Sequence, residues 1–464
     1  MALTINQVPA RQEVPLGQKI LFSVSDTTVV ASHYNVRYYC DIYFSYEVVG
    51  TAYKISTLKT TPNSSGYGIF DLHSSLESMI KSPNVIDDTN ANVLFLGSNG
   101  IVGAPVHYVE KTTNFKESTG LFYCKFYVKG SDTPSAASNT IGADVTSSTY
   151  TAHNIYPDAN DVMYNDGGNY YFDYDELNIL PKGSNSKFLT DMPLELNARL
   201  NDAGTVGFFQ NFGNLTSHAN VNVDYIKADF KDVDGNNLST ENLACNTSSG
   251  GSSSATSDAS VHFNMTGIYP ANIKQHKTIP ANTSYYEIQA IGGSPAQKSK
   301  LYRINITEDC KHPNIRLTWL NKYGAWDYYN FNAKSVKTTS SNKKTFNQTR
   351  GSYQGTGFSY TTGNGGAKVY DVQSKESYVL NTDYVNEETG RWLESIINST
   401  EVYIIKDSTW ELGDAVDTLT NFADMIEPVL IKTSSMASKT IQNDKLIMHT
   451  IQIEKAINNN TRKR

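Results

Sequence analysis

The segment 315–331, IRLTWLNKYGAWDYYNF, constrains the fold of this chain more than any other stretch. Ile315, Leu317 and Trp319 alternate with Arg316 and Thr318, the period-two pattern of a half-buried strand. Asn321 and Gly324 then bracket a tight turn, where glycine tolerates the positive φ that short loops require. Trp326, Tyr328, Tyr329 and Phe331 follow as the returning strand. A nucleophile, a metal-ligand pair and a phosphate loop are all missing from this stretch, so its chemistry is that of contact.

Composition extends the β reading to the whole chain. Only 18% of the 464 residues are charged, while tyrosine alone accounts for 30. Low charge with abundant Tyr and Thr favours strands over long surface helices, which draw on Glu, Lys and Ala. A chain of this length exceeds what one core serves, so two to four domains are expected. The net charge of −7 argues against a protein whose main business is coating nucleic acid. The basic end Arg462, Lys463 and Arg464 allows at most a weak phosphate contact and reads as a solvated tail. No stretch reaches the roughly 20 apolar residues that span a bilayer. The N-terminus MALTINQVPARQEVP lacks the basic and apolar regions of a secretory signal, so assembly in the cytoplasm is expected. Cys40, Cys124, Cys245 and Cys310 are too widely spaced for a CxxC site. Cys40 and Cys124 sit in the aromatic runs VRYYCDIYF and LFYCKFYV and read as small buried hydrophobes. A disulfide between them would need an oxidising compartment.

Along the chain, residues 1–130 read as an N-terminal β-sandwich, with strand candidates at KILFSVS, YNVRYYCDIYF, TAYKISTL and LFYCKFYV. Asp71 is placed to cap a short helix whose stripe is Leu72, Leu76, Met79 and Ile80. Residues 131–155 form a Ser/Thr-rich linker or loop, 156–244 a β-rich middle region, and 245–260 a low-complexity loop. A C-terminal β-rich domain at 261–455 holds the tryptophan hairpin, and 456–464 is a polar tail. Within that domain, Asn386 is expected to cap a helix whose first turn carries Glu387 and Glu388. Its apolar face is Trp392, Leu393, Ile396 and Ile397. The glycine-rich run from Ser352 reads as an exposed loop.

WLNKYGAWDYYNF with the following AKSVKTTSSNKKTF resembles a signature of virion structural proteins of tailed bacteriophages. YVLNTDYVNEETGRWLESIINSTEVYII, from Tyr378, is similar to a second element of that group. CDIYF from Cys40 and GYGIFDLHSSLESMI from Gly66 look like its opening sandwich. The resemblance implies a mainly β, multi-domain protein of antiparallel sandwich-like domains with a few short helices. It further implies a homo-oligomeric ring or sleeve in the tail, neck or baseplate, in contact with other tail and neck proteins of the virion.

Candidate chemistry is sparse. DVDGNN from Asp232 begins like a calcium loop, but the twelfth position, where an acidic ligand belongs, is Leu243; an Asx-type turn is expected. Asp161, Asp166, Asp173, Asp175 and Glu176 form a carboxylate collection that reads as a solvated face. Paired carboxylates there could cleave glycosidic bonds only at roughly 5–9.5 Å separation. His312 lies two residues from Cys310, with no second ligand pair at useful spacing. The glycine run lacks the phosphate-loop and dinucleotide patterns. No catalytic, cofactor or metal residue is therefore assigned, and the chain is read as a non-enzyme. Trp319, Trp326, Tyr328, Tyr329 and Trp392 are the candidate core or interface anchors. The alternative function is a receptor- or carbohydrate-binding protein of a fibre or tail tip, followed by a polysaccharide depolymerase using the acidic collection.

Overall fold

The structure is a computed structural model describing residues 2–46, 51–82, 107, 113–114, 118–158, 161–164, 170–174, 177–210, 223–244, 262–293, 296–308, 312–353, 355–359, 363, 365–405, 426–435, 448–457 and 459–461. It is mainly β, with several antiparallel sheets and short helices at Thr27–Ser32, His73–Glu77, Pro270–Lys274 and Glu387–Asn398. The chain divides into two compact units. The first holds residues 1–307, 320–327 and 407–423; the second holds 308–319, 328–406 and 424–464.

The first unit opens with a sandwich. One sheet pairs Thr4–Gln7, Leu21–Ser25 and Tyr67–Asp71. The other runs Glu13–Pro15, Tyr150–His153, Thr119–Ser131, Tyr34–Ser45 and Tyr53–Thr60, with Asn139–Thr146 also on Thr119–Ser131. Strict alternation builds the core: Phe122, Cys124, Phe126 and Val128 are buried, while Tyr123, Lys125, Tyr127 and Lys129 are only half-buried. Phe126 lies 5.6 Å from Phe22 and 5.7 Å from Phe70 between ring centroids, which joins the two sheets. Cys40 and Cys124 are buried free thiols, as expected of small hydrophobes, and burial with the neighbouring Cys40 pushes the Cys124 thiol up. Asp71 was expected to cap the short helix, but the capping position is Leu72, one residue later, and no side chain makes the capping bond there, so Asp71 sits just ahead of it. Its Oδ1 accepts from His73 N at 3.2 Å and from Ile20 N at 3.3 Å.

Two expected breaks are filled or crossed. Residues 131–155 contain the strands Asn139–Thr146 and Tyr150–His153. Asn139–Thr146 is largely exposed, so a polar surface strand has the composition of a loop. The boundary at 245–260, itself outside the described residues, is spanned by seven register partners between Tyr225–Lys231 and Tyr285–Ile291. Those strands belong to a sheet ordered Glu195–Ala198, Tyr302–Ile306, Tyr285–Ile291, Tyr225–Lys231, Asn237–Ala244. Backbone pairing thus carries the first unit through to Thr307, where a division at 261 was expected.

An eight-stranded sheet runs Trp326–Phe331, Ile315–Leu320, Val402–Ile405, Ile426–Ile431, Thr450–Lys455, Gly366–Asn381, Val336–Gln348, with Asn459–Thr461 also on Gly366–Asn381; its residues belong to the second unit except Leu320, Trp326 and Asp327. The helix Glu387–Asn398 starts where its cap predicts: Asn386 Oδ1 accepts from Thr389 N at 2.8 Å. Trp392, Leu393 and Ile396 are buried along its apolar stripe.

Candidate functional site

Four of the five aromatic anchors are core residues, and Tyr329 is half-buried. Trp319 and Trp326 are 0% and 1% exposed, and Tyr328 and Trp392 are each 3% exposed, which removes all four as free contact platforms. In the second unit Trp319 and Trp392 pack at 5.1 Å, and the Trp319 indole N–H donates to Ser395 Oγ at 2.8 Å. Tyr329 is half-buried 6.1 Å from Trp392, and burial followed by Asp383 pushes its phenol up to about 12. The Arg316 guanidinium lies over the Tyr328 ring at 5.2 Å. In the first unit Trp326 meets the buried His107 edge-on at 4.9 Å.

The turn between the tryptophans carries a charge cluster within the first unit. Lys322 Nζ donates to Asp158 Oδ2 and Asp161 Oδ2, both at 2.9 Å, and pairs with Asp191 Oδ2 at 3.0 Å. Tyr323 OH donates to Asp191 Oδ1 at 2.9 Å and accepts from Lys187 Nζ at 3.0 Å. Loss of water around Asp191 would raise its pKa, but Lys187 and Lys322 outweigh this and hold it below the usual carboxylate range. Burial opposes the Lys322 charge, yet the three aspartates raise its pKa. Two lysines thus hold three aspartates, and the cluster fixes a turn. Sequence reasoning missed Lys322 because its partners lie more than 130 residues away in the chain.

The other sequence candidates do not converge. Asp161 answers Lys322 while Asp173 pairs with Arg11 at 3.1 Å, so these two members serve different cations. Asp166, Asp175 and Glu176 lie outside the described residues, as do Cys245, Cys310 and Arg462, Lys463 and Arg464. Asp232 folds its carboxylate into the turn, accepting from Asp234 N at 3.0 Å and Asn236 N at 2.8 Å; Leu243 is buried. The expected Asx-type turn is what stands there. No group of three potential metal ligands occurs among the described residues.

What the structure presents instead is a ribbon. Val336–Gln348 pairs antiparallel with Gly366–Asn381 along its whole length, about 44 Å at the usual rise per residue. Every residue of Val336–Gln348 is exposed, and among the described residues no strand pairs with its outer edge. At the base, residues 377–381 pair with Thr450–Lys455, and residues 372–374 pair with Asn459–Thr461. Beyond that the ribbon has two strands only among the described residues, 344–348 against 366–371. Ion pairs hold the base: Lys337 with Glu376 at 2.7 Å and Lys375 with Glu454 at 3.0 Å. The bond from Lys337 draws the Glu376 pKa down. The outer part exposes Phe346, Val369 and Tyr370, then Tyr353 and Phe358 at the turn end. Phe346 and Tyr370 rings meet edge-on at 6.2 Å. Lys343, Arg350 and Lys368 have no ion pair among the described residues. The glycine-rich run expected to be a loop is the turn end of this ribbon, where Gly351, Gly355, Gly365 and Gly366 all take positive φ.

A second surface lies on the sandwich. Tyr39 stacks on Tyr127 at 5.1 Å and Tyr43 on Tyr123 at 4.9 Å, with planes within 5° and 2° of parallel. All four rings are half-buried, and the Lys129 ammonium lies 5.2 Å from the Tyr39 ring centre. Neither protein-family models nor curated proteins give a match to this chain.

Proposed function

We propose that this protein is a structural component of a tailed-phage virion, part of a symmetric tail, neck or baseplate assembly. Its copies contact one another and neighbouring tail or neck proteins, and it is made in the host cytoplasm and retained in the particle. The observation that carries this reading is the ribbon Val336–Gln348 with Gly366–Asn381. A two-stranded hairpin is at best marginally stable in water, and an exposed strand edge is a template for pairing with another chain. A ribbon of this length with five exposed apolar or aromatic side chains in its outer part suits contact between subunits. The tailed-phage part rests on the sequence resemblance, which includes the strand VKTTSSNKKTF of the ribbon. Low charge density lets subunits approach without heavy desolvation. Electron micrographs of the purified protein, with mass spectrometry of purified virions, test it: closed rings and presence in the particle are expected. Protein that stays monomeric at high concentration and is missing from virions refutes it.

The stacked tyrosines favour a second reading, carbohydrate recognition at a tail tip or fibre. Half-exposed aromatic rings flanked by Lys129, and by Asp41 paired with Lys54 at 2.8 Å, offer stacking faces and polar partners for a sugar. Binding on a glycan array that Tyr43→Ala abolishes would support this reading; an array with no signal counts against it.

A further inference from the structure

We infer that the ribbon docks on a second copy of this same chain, laying Val336–Gln348 along the edge strand Asn237–Ala244 of its neighbour. This rests on the assembly reading and names its contact. Charge points to the occupant. Residues 336–381 carry six basic and two acidic side chains, whereas the rest of the chain carries 33 basic and 44 acidic. A ribbon of net +4 belonging to a body of net −11 is complementary to another copy of that body. Pairing of two ribbons edge to edge is disfavoured, because it would bring together two strands that each carry Lys337, Lys343 and Lys344 and no acid.

The acceptor follows from comparing edges. Three exposed or half-exposed border strands of eight residues occur among the described residues. Tyr53–Thr60 carries two lysines and no acid. Asn139–Thr146 carries one acid, Asp144, already paired with Lys125. Asn237–Ala244 ends its sheet, holds Glu241, which pairs with Lys277 at 3.0 Å, and is entered through the turn bearing Asp232 and the exposed Asp234, so this edge gathers three acids. That turn and strand also expose apolar surface, Val233 at 81% and Leu238 at 37%, to meet Phe346 and Tyr370. Strand addition supplies backbone hydrogen bonds, and the opposed charges set partner and direction. Because the two patches differ, the contact is head-to-tail and closes into a ring or continues as a filament.

The test uses the full chain. Light scattering after size-exclusion chromatography would compare the wild type with K343E/R350E/K368E, three exposed or half-exposed positions outside the cores. The variant should associate at least tenfold more weakly, with an unchanged thermal unfolding curve. Mixing it with a D234K/E241K variant should restore association through reversed charges. Cysteine variants S341C and L238C, mixed as separate proteins under mild oxidation, should give a mixed disulfide dimer. Unaltered oligomer mass in the triple variant would overturn the ribbon contact while leaving assembly standing. Loss of binding to heparin resin without loss of association would overturn it in favour of a polyanion. A wild-type chain that is monomeric throughout would overturn both the contact and the assembly reading.

Discussion

Trp319 and Trp392 pack ring against ring at 5.1 Å in the second unit, one from a sheet strand and one from the helix Glu387–Asn398. The Trp319 N–H is satisfied by Ser395 Oγ, so the pair is buried without an orphaned donor. Trp392→Ala removes the helix side of this contact and should cost about 3–5 kcal/mol through lost burial and the cavity left behind. Urea unfolding followed by circular dichroism measures it. A loss below about 1 kcal/mol would show that the helix does not depend on this packing.

Gly324 and Gly66 make a controlled comparison in the first unit. Both take positive φ, +75° and +83°. A Cβ at Gly324 would sit 2.3 Å from the Asn154 carbonyl oxygen, whereas nothing lies within 4 Å at Gly66. Gly66→Ala should therefore cost only the left-handed backbone term, about 1–2 kcal/mol. Gly324→Ala adds a clash with backbone and should cost about 2–4 kcal/mol. Equal losses in denaturant titrations would mean that the turn can move away from Asn154.

His153 makes the first unit acid-sensitive. Its ring lies 5.5 Å from Tyr174 and 4.9 Å from Phe209, and burial lowers its pKa from 6.5 to about 3. At pH 5 the folded chain holds it neutral while the unfolded chain protonates it. The unfolded state binds more protons, so stability falls as pH drops from 6.5 towards 3, by about 1.4 kcal/mol per unit from this group. Wild type and His153→Leu compared in urea at pH 7 and pH 5 isolate the effect. The wild type should lose about 2 kcal/mol more than the variant over that interval, and parallel pH dependences would contradict the assignment.

How far such features could be read in advance depended on whether the signal was local. The helix after Asn386 was legible because cap, acidic first turn and apolar stripe fall within twelve residues. The hairpin turn at Gly324 was legible for the same reason. The burial of Trp319 and Trp326 followed from the size of the indole, though not their assignment to different units. The ribbon was not legible as a strand pair. With Val336–Gln348 exposed at every position, neither face is selected to be apolar, and the period-two pattern that marks a strand disappears. The glycines between its strands read as a loop, while the pairing that makes them a turn is set by residues up to 43 apart, Val336 with Val379. The Lys322 cluster was hidden by still greater separations.

The same anatomy predicts a gradient of stability along the ribbon. At the base, residues 377–381 are paired on both sides, by Val336–Gln348 and by Thr450–Lys455. In the outer part, residues 366–371 have one partner strand and no third strand among the described residues. Local opening there breaks only cross-strand bonds and exposes little that was buried, so it should cost far less than opening the base. Amide hydrogen exchange on dilute full-length protein should be at least about a hundredfold faster at 344–348 and 366–371 than at 377–381. The difference should shrink as concentration rises and copies associate, because a docked strand protects the amides on its outer edge. Uniform protection from base to turn in the dilute chain would mean that the ribbon is stable by itself and has no need of a partner.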